Sequence, residues 1–281
     1  MKAPTCPGGG WQAGGGTRRI LMSLYLENLL VILAATIMLW VASLVKRDAS
    51  IADIFWGIGF VVVCWVTFHR TDGYWFRKGL ILLAVSTWGA RLSLHIWLRN
   101  RGKGEDPRYR AMREQHGSRF WWISLFSVFG LQGILLWIIS LPVQAALISP
   151  HPRQPVIWDF LGVAVWLVGF LWEAVADWQL AQFKSNPANR SKVMRSGLWA
   201  WSRHPNYFGE SLVWWGIFLI AMADPRNLWT IVGPITILFL LLKVSGVTLT
   251  EKTIAERRPE YVDYAKTTSA FFPGLPRKFK Q

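Results

Sequence analysis

The strongest constraint on this chain is the length of its apolar runs. Residues 28–45 read NLLVILAATIMLWVASLV, without a charge over 18 positions. Such a run matches the roughly 20 residues that a helix needs to cross a hydrocarbon core of about 30 Å. Comparable runs recur along the sequence, and only 17% of residues are charged, against about 25% in ordinary soluble domains. The expected fold is therefore an all-α integral membrane protein of about seven transmembrane helices. The runs place them near 22–45, 50–69, 79–97, 120–148, 156–178, 207–223 and 228–248. The fourth is long enough to tilt, or to break near Pro142.

Around these spans the chain divides into a glycine-rich lead (1–20), one seven-helix domain (21–276) and a short basic tail (277–281). The lead holds GGGWQAGGG, but no strand precedes it and no GK[ST] follows, so it is expected to be disordered and not a phosphate loop. No small-x-small cleavage pattern ends the first span, which reads as a retained anchor. Cys6 and Cys64 are too few for a disulfide framework or a metal cluster and are expected to be free thiols.

A net charge of +15 raises the question of nucleic acid. The basic residues lie in loops beside apolar spans and not on the face of a soluble domain, which argues against that partner. Sorted by side, 21 of the 31 Lys and Arg fall on the side of the two long loops and the C-terminus, and 8 on the other. The positive-inside rule then places the C-terminus and basic loops in the cytoplasm, and a bacterial inner membrane is the expected location.

An ionisable side chain at bilayer depth costs about 2.5–3.5 kcal/mol on insertion scales, so each one needs a partner, a water cavity or a task. Asp53 opens the second span, Arg91 and His95 share a face of the third, and Glu173 and Asp177 lie late in the fifth. At 100° per residue, Glu173, Asp177 and Lys184 fall within about 40° of one another, forming a stripe that runs out toward the basic loop. As a ladder of ion pairs such a stripe would contribute only a few tenths of a kcal/mol per pair.

The segment SRHPNYFGE (202–210) follows on the same side. Pro205 suits the first turn of a helix, whose free N–H groups make an anion site beside Arg203 and His204. Asn206 and Glu210, four residues apart, share a face just below. Tyr207 and Trp214 also suit an interfacial aromatic belt, and a well-capped interfacial helix accounts for all of this except Glu210. The loop LRNRGKGEDPRYRAMREQHGSRF (98–120) sets seven basic residues against Glu105, Asp106 and Glu114. It suits anionic lipid headgroups and nucleotide phosphates equally. Beyond the last span, Glu251 stands at the membrane exit, ahead of a short amphipathic segment carrying Tyr261, Tyr264, Phe271 and Phe272.

Together, GLWAWSRHPNYFGE, the Glu173–Asp177–Lys184 stripe, NRGKGEDPRY and YVDYAKTTSAFFP resemble the steroid 5α-reductase C-terminal family, and more narrowly its bacterial branch, the DUF1295 proteins, over roughly residues 30–276. The resemblance implies a seven-helix membrane reductase that uses NADPH to reduce the C=C bond of a lipophilic α,β-unsaturated ketone taken from the bilayer. It implies cofactor-binding positions at Asp177, Lys184, Asn206 and Glu210, with Glu210 holding the nicotinamide amide. Glu173 stands where the steroid enzymes have an asparagine. Arg91, Arg101, Lys103, Arg108 and Tyr109 fall in the region of phosphate contacts, and Arg203, His204, Tyr207 and Glu251 complete the cofactor side. For the substrate carbonyl the nearest counterparts are Asp53 and Trp88, with Glu210 completing the catalytic set. A steroid substrate is not implied. RHPNY is also similar to a segment of the isoprenylcysteine carboxyl methyltransferases, so a methyltransferase using S-adenosylmethionine is the alternative. A non-enzymatic lipid-binding protein is a third, in which the polar stripe glues helices together.

Overall fold

The computed structural model describes residues 15–244, 247, 251, 254 and 258–275, with side chains from residue 22 onward. Most of the glycine-rich lead, the stretch after 244 and the basic tail lie outside the described residues. Helices are the regular secondary structure of the described residues: α1 (Gly15–Lys46), α2 (Ile51–Arg70), α3 (Trp75–Asn100), α4 (Pro107–His116), α5 (Phe120–Ser124), α6 (Leu131–Ile139), α7 (Leu141–Ile148), α8 (Ile157–Ser185), α9 (Pro205–Ala221), α10 (Val232–Phe239) and α11 (Glu260–Thr267). Among them six segments are long and apolar enough to cross a membrane: Met22–Lys46, Ile51–Arg70, Trp75–Asn100, Pro107–Ile139, Ile157–Ser185 and Pro225–Val244. The chain is a multi-pass helical membrane protein. The remaining expected span, 207–223, is α9, a 17-residue helix with most of its surface buried between its neighbours.

Several boundaries differ from the sequence expectation for local reasons. The third span begins at Trp75 and not 79, because the cationic heads of Arg77 and Lys78 are satisfied inside the protein. The fourth starts with α4, whose Asp106 side chain accepts from the N–H of Arg108 ahead of Pro107. It passes through a π-helical stretch at Leu125–Gly130 and ends at Ile139. Pro142, with no N–H to donate, sits in the first turn of the separate helix α7, so the break falls near the residue that predicts it. The fifth runs seven residues past its expected end, carrying Lys184 on the same helix as Glu173. The last span is built from a 3-10 stretch (Pro225–Ile231), α10 and a π-helical stretch (Leu240–Val244).

Two features position the polar residues. The helices α8 and α9 run antiparallel in backbone contact through Gly162 against Gly216 and Gly169 against Gly209. A Cβ at Gly209 would lie 2.5 Å from the Glu173 nitrogen and 2.7 Å from the Gly169 carbonyl oxygen, so no side chain fits. This closeness brings Glu210 beside Glu173. Beneath them, Phe60, Trp88 and Trp214 form a fully buried aromatic cluster, with centroids 4.5 Å apart for Phe60–Trp214 and 5.3 Å for Trp88–Trp214. The helices α3 and α8 are parallel and tied twice, Arg77 to Asp159 and, fourteen residues further along both, Arg91 to Glu173.

Candidate functional site

The densest polar cluster is built by α3, α8 and α9. Trp88, Arg91 and His95 project from one face of α3, Glu173 and Asp177 from α8, and Asn206 and Glu210 from the first turns of α9. Arg91 bridges the two acids of α8: Nη2 bonds Glu173 Oε1 and Nη1 donates to Asp177 Oδ2 at 2.9 Å. Trp88 Nε1 donates to the other Glu173 oxygen at 2.9 Å. Asp177 also accepts from Asn206 Nδ2 at 3.2 Å and lies 3.8 Å from His95 Nε2. A guanidinium facing two carboxylates, with an indole and an amide completing their shells, is a rigid, charge-assisted network.

Glu210 stands apart within this cluster. It is nine-tenths buried, yet its carboxyl makes no hydrogen bond to a described residue. It lies within electrostatic range of Arg91, Asp177 and Glu173. The buried Nε of Arg91 likewise has no acceptor among the described residues. The same is true of one buried nitrogen of Arg77, so the Glu210 carboxyl is what sets this cluster apart.

Toward the basic side, Lys184 continues the α8 stripe, within electrostatic range of Arg99, Lys103 and Arg258 and of Asp177. Arg258 is stapled to the 190–192 turn through the carbonyls of Arg190 and Lys192. Four cations gather at this mouth, a setting for a polyanion. The Arg101 guanidinium carbon lies 5.3 Å from the Trp97 ring centroid at the end of α3.

The cations expected to meet a phosphate at the α9 N-terminus have a resident partner. Arg203 makes a forked pair with Glu251 (2.8 and 3.1 Å), and His204 Nε2 lies 3.2 Å from the same carboxylate. Arg203 also donates to the Thr268 carbonyl at 3.1 Å, and Tyr207 stacks on the His204 ring at 5.4 Å. Burial pushes the Glu251 carboxyl up, but the hydrogen bonds and charges of His204 and Arg203 outweigh it and hold the group below its ordinary range. The Ser202 hydroxyl donating to the Phe271 carbonyl (2.8 Å) and the Arg203 N–H to that of Ser269 (2.8 Å) lash the C-terminal segment over this turn. Arg203, His204 and Glu251 thus form a latch.

A second polar group lies at the start of α2. Asp53 accepts from the Tyr109 hydroxyl at 2.6 Å and from Arg108 Nη2 at 2.6 Å, and Gln132 Nε2 lies 3.4 Å from Asp53 and 3.3 Å from the Tyr109 oxygen. The π-helical stretch 125–130 directly precedes the turn that presents Gln132. Asp106 anchors Arg108 from the other side at 2.9 Å. Arg108 and Tyr109 therefore serve Asp53 and not the carboxylate cluster. Trp88 is fully buried and its N–H is spent on Glu173. The hydroxyl beside Asp53 comes from Tyr109, which the loop sequence offered but no spacing rule connected to α2. Gln132 and Glu251's partners were equally silent. The glycines of GVAVWLVG and GESLVWWG, seven apart in each helix, were the legible signal of the α8–α9 contact.

These features define a polytopic helical membrane protein with a charged polar cluster where three of its helices meet. The family described as "Protein of unknown function (DUF1295)" matches residues 39–268, and the chain belongs to it. An uncharacterized protein of Schizosaccharomyces pombe is 27% identical over 258 residues, covering 80% of this chain and 69% of the relative. No solved structure matches the chain.

Proposed function

We propose that this protein is a membrane-embedded, NADPH-dependent reductase of the C=C bond in a lipophilic α,β-unsaturated ketone, with its basic loops and C-terminus in the cytoplasm. The observation that supports the reading is the polar cluster where α3, α8 and α9 meet, cationic toward the basic side and rich in carboxyl groups deeper in. At its mouth Lys184, Arg99, Lys103 and Arg258 gather positive charge. At its depth the Glu210 carboxyl makes no hydrogen bond to a described residue, and Arg91 lies beside it. A dinucleotide with phosphates at one end and a carboxamide at the other suits both levels. Glu210 would hold the amide N–H, Arg91, oriented by Glu173 and Asp177, would frame the ring, and Lys184 and Lys103 would take phosphate.

When bound, the cofactor supplies hydride, and the reduction also consumes one proton. The chain's part is to position the ring, to keep water from it and to polarise the carbonyl. We assign the last task to Asp53 with Tyr109, whose short hydrogen bond holds a proton beside the second span, with Gln132 fixing the phenol. A polarised carbonyl spreads the charge that hydride addition creates.

The test is a thermal-shift comparison of NADPH and S-adenosylmethionine on the detergent-purified protein. A ligand at 100 times its Kd stabilises by about 2.7 kcal/mol. A shift with NADPH is expected; a shift with the methyl donor alone would transfer the protein to the methyltransferases.

A further inference from the structure

The C-terminal segment encloses a half-open cavity of about 470 Å³ between the end of α11, the 268–275 turn and Arg203. Its volume falls within the roughly 300–1,000 Å³ of ordinary ligand sites. Hydrogen-bond donors line it. Arg203 directs two N–H groups to Glu251 and two to the carbonyls of Ala265 and Thr268, which leaves the fifth. Those two carbonyls lie at the end of α11, so the guanidinium covers the negative end of that helix. Thr268 is 7% exposed, yet its hydroxyl makes no hydrogen bond to a described residue, and neither does that of Ser269 beside it. A buried hydroxyl without a partner is costly, so a ligand that meets it gains by doing so. Lys266 lines the same cavity and pairs at the surface with Asp263 at 3.1 Å. Among the described residues that line the cavity there is no carboxylate.

The rim, by contrast, is apolar. Phe272 and Leu275 are 66% and 80% exposed, and Phe272 packs edge-on to Phe208 in the first turn of α9, with centroids 6.2 Å apart. The Gly274 N–H donates to the carbonyl of Trp201, whose own ring is half-exposed. An exposed tryptophan beside the first turn of a membrane helix marks the headgroup level of the bilayer. The sequence past Leu275 continues PRKFKQ, with three cations and no acid, which adds to the attraction of an anionic surface. Donors within and hydrocarbon at the lip match an amphiphile whose polar end is a phosphate. We propose that this cavity binds the phosphate headgroup of an anionic membrane lipid, with Phe272 and Leu275 against its acyl chains. Thr268, Ser269 and Lys266 take the phosphate, which fastens the C-terminal segment to the bilayer surface next to the Arg203 latch. The site is independent of the cofactor reading.

The experiment follows thermal unfolding of the full chain in nonionic detergent at fixed ionic strength. It is titrated with short-chain phosphatidylglycerol, with phosphatidylcholine of the same chains, and with inorganic phosphate. Phosphatidylglycerol should stabilise wild type at a concentration about tenfold below that of either other probe. Thr268→Val removes the unbonded hydroxyl without changing charge and should weaken phosphatidylglycerol about tenfold, as loss of a hydrogen bond to a charged group does. Lys266→Gln should weaken it by a similar factor, and it supplies the test where the first variant fails to accumulate. Lys192→Gln, the same charge change on another loop, should have no effect. No stabilisation by phosphatidylglycerol, equal effects of the two lipids, or variants that titrate as wild type would overturn the proposal. So would Lys192→Gln matching Lys266→Gln, which would reduce the binding to the net charge of the chain. Inorganic phosphate acting at the same concentration as phosphatidylglycerol would overturn the lipid assignment and give the cavity to a soluble phosphate compound.

Discussion

The parallel helices α3 and α8 are bridged twice by the same kinds of residue, and the two bridges have opposite characters. Toward one membrane surface, Arg77 meets Asp159 through two bonds of 2.8 and 3.1 Å, and neither side chain has any exposed surface. Asp159 spends its second capacity on the N–H of Val156, and Arg77 lies 5.5 Å from the Tyr74 ring centroid. Four helical turns away, roughly 21 Å along the axis, Arg91 meets Glu173 and Asp177 with Glu210 close by, and its side chain keeps 19% exposure. One bridge balances charge one to one and is closed. The other is over-supplied with carboxylate, opens toward the basic side and keeps an idle acceptor. A buried ion pair that only ties helices has no use for an unpaired third acid, because an uncompensated charge in a low-dielectric interior is expensive. The imbalance is what sets the second bridge apart from the first.

The contrast can be broken most forcefully at the closed end. Arg77→Met strands Asp159 without its cation and should cost about 3–5 kcal/mol, read as early unfolding in a denaturant titration in detergent. Arg77→Met combined with Asp159→Leu should recover most of that loss, since a well-packed apolar pair replaces a buried ion pair at little cost. Full recovery failing in the double variant would mean that Asp159 matters chiefly as the cap of Val156.

This closed bridge was hidden from the sequence. Arg77 falls beside Arg70 and Lys78 in what reads as a basic connection, and Asp159 in the first turn of α8 reads as a helix-start acid. Each has a sufficient local explanation, and nothing in one dimension joins them across 82 residues. The open bridge was half legible, because Arg91, Glu173, Asp177 and Glu210 fall deep in apolar runs where no local explanation serves. Their mutual bonding, and the spending of Trp88 on Glu173, depend on helix rotation that periodicity does not fix to the needed precision. At Arg203 and His204 a proline-started helix with two cations reads as an anion site, and in the structure the Glu251 carboxylate meets both. That acid sits 48 residues away, beyond any pattern of spacing. The helical class, six of the spans and the break at Pro142 were legible because hydrocarbon thickness and proline's missing N–H act locally.

The smallest effect is expected at this latch, a third charged cluster in which Arg203 and His204 are largely buried and Glu251 is partly so. A carboxyl held below its ordinary pKa stabilises the fold above its unfolded value of about 4.3, and that contribution disappears as pH falls through the folded value. Wild type should therefore lose stability between roughly pH 5 and pH 3 more steeply than Glu251→Gln. The two should run parallel from pH 6 to 8, where the group is ionised in folded and unfolded chains alike. Identical acid profiles would show that the Arg203–His204 clamp adds nothing to the fold.

The open bridge is tested by the thermal shift that NADPH produces in wild type and in Glu210→Gln. Because Glu210 makes no hydrogen bond to a described residue, the unliganded variant should melt at or slightly above the wild-type temperature. The NADPH shift should fall to a small fraction of the wild-type value. A variant that melts far below wild type would make Glu210 a structural acid like Asp159, and one that keeps the full NADPH shift would take the cofactor away from this cluster.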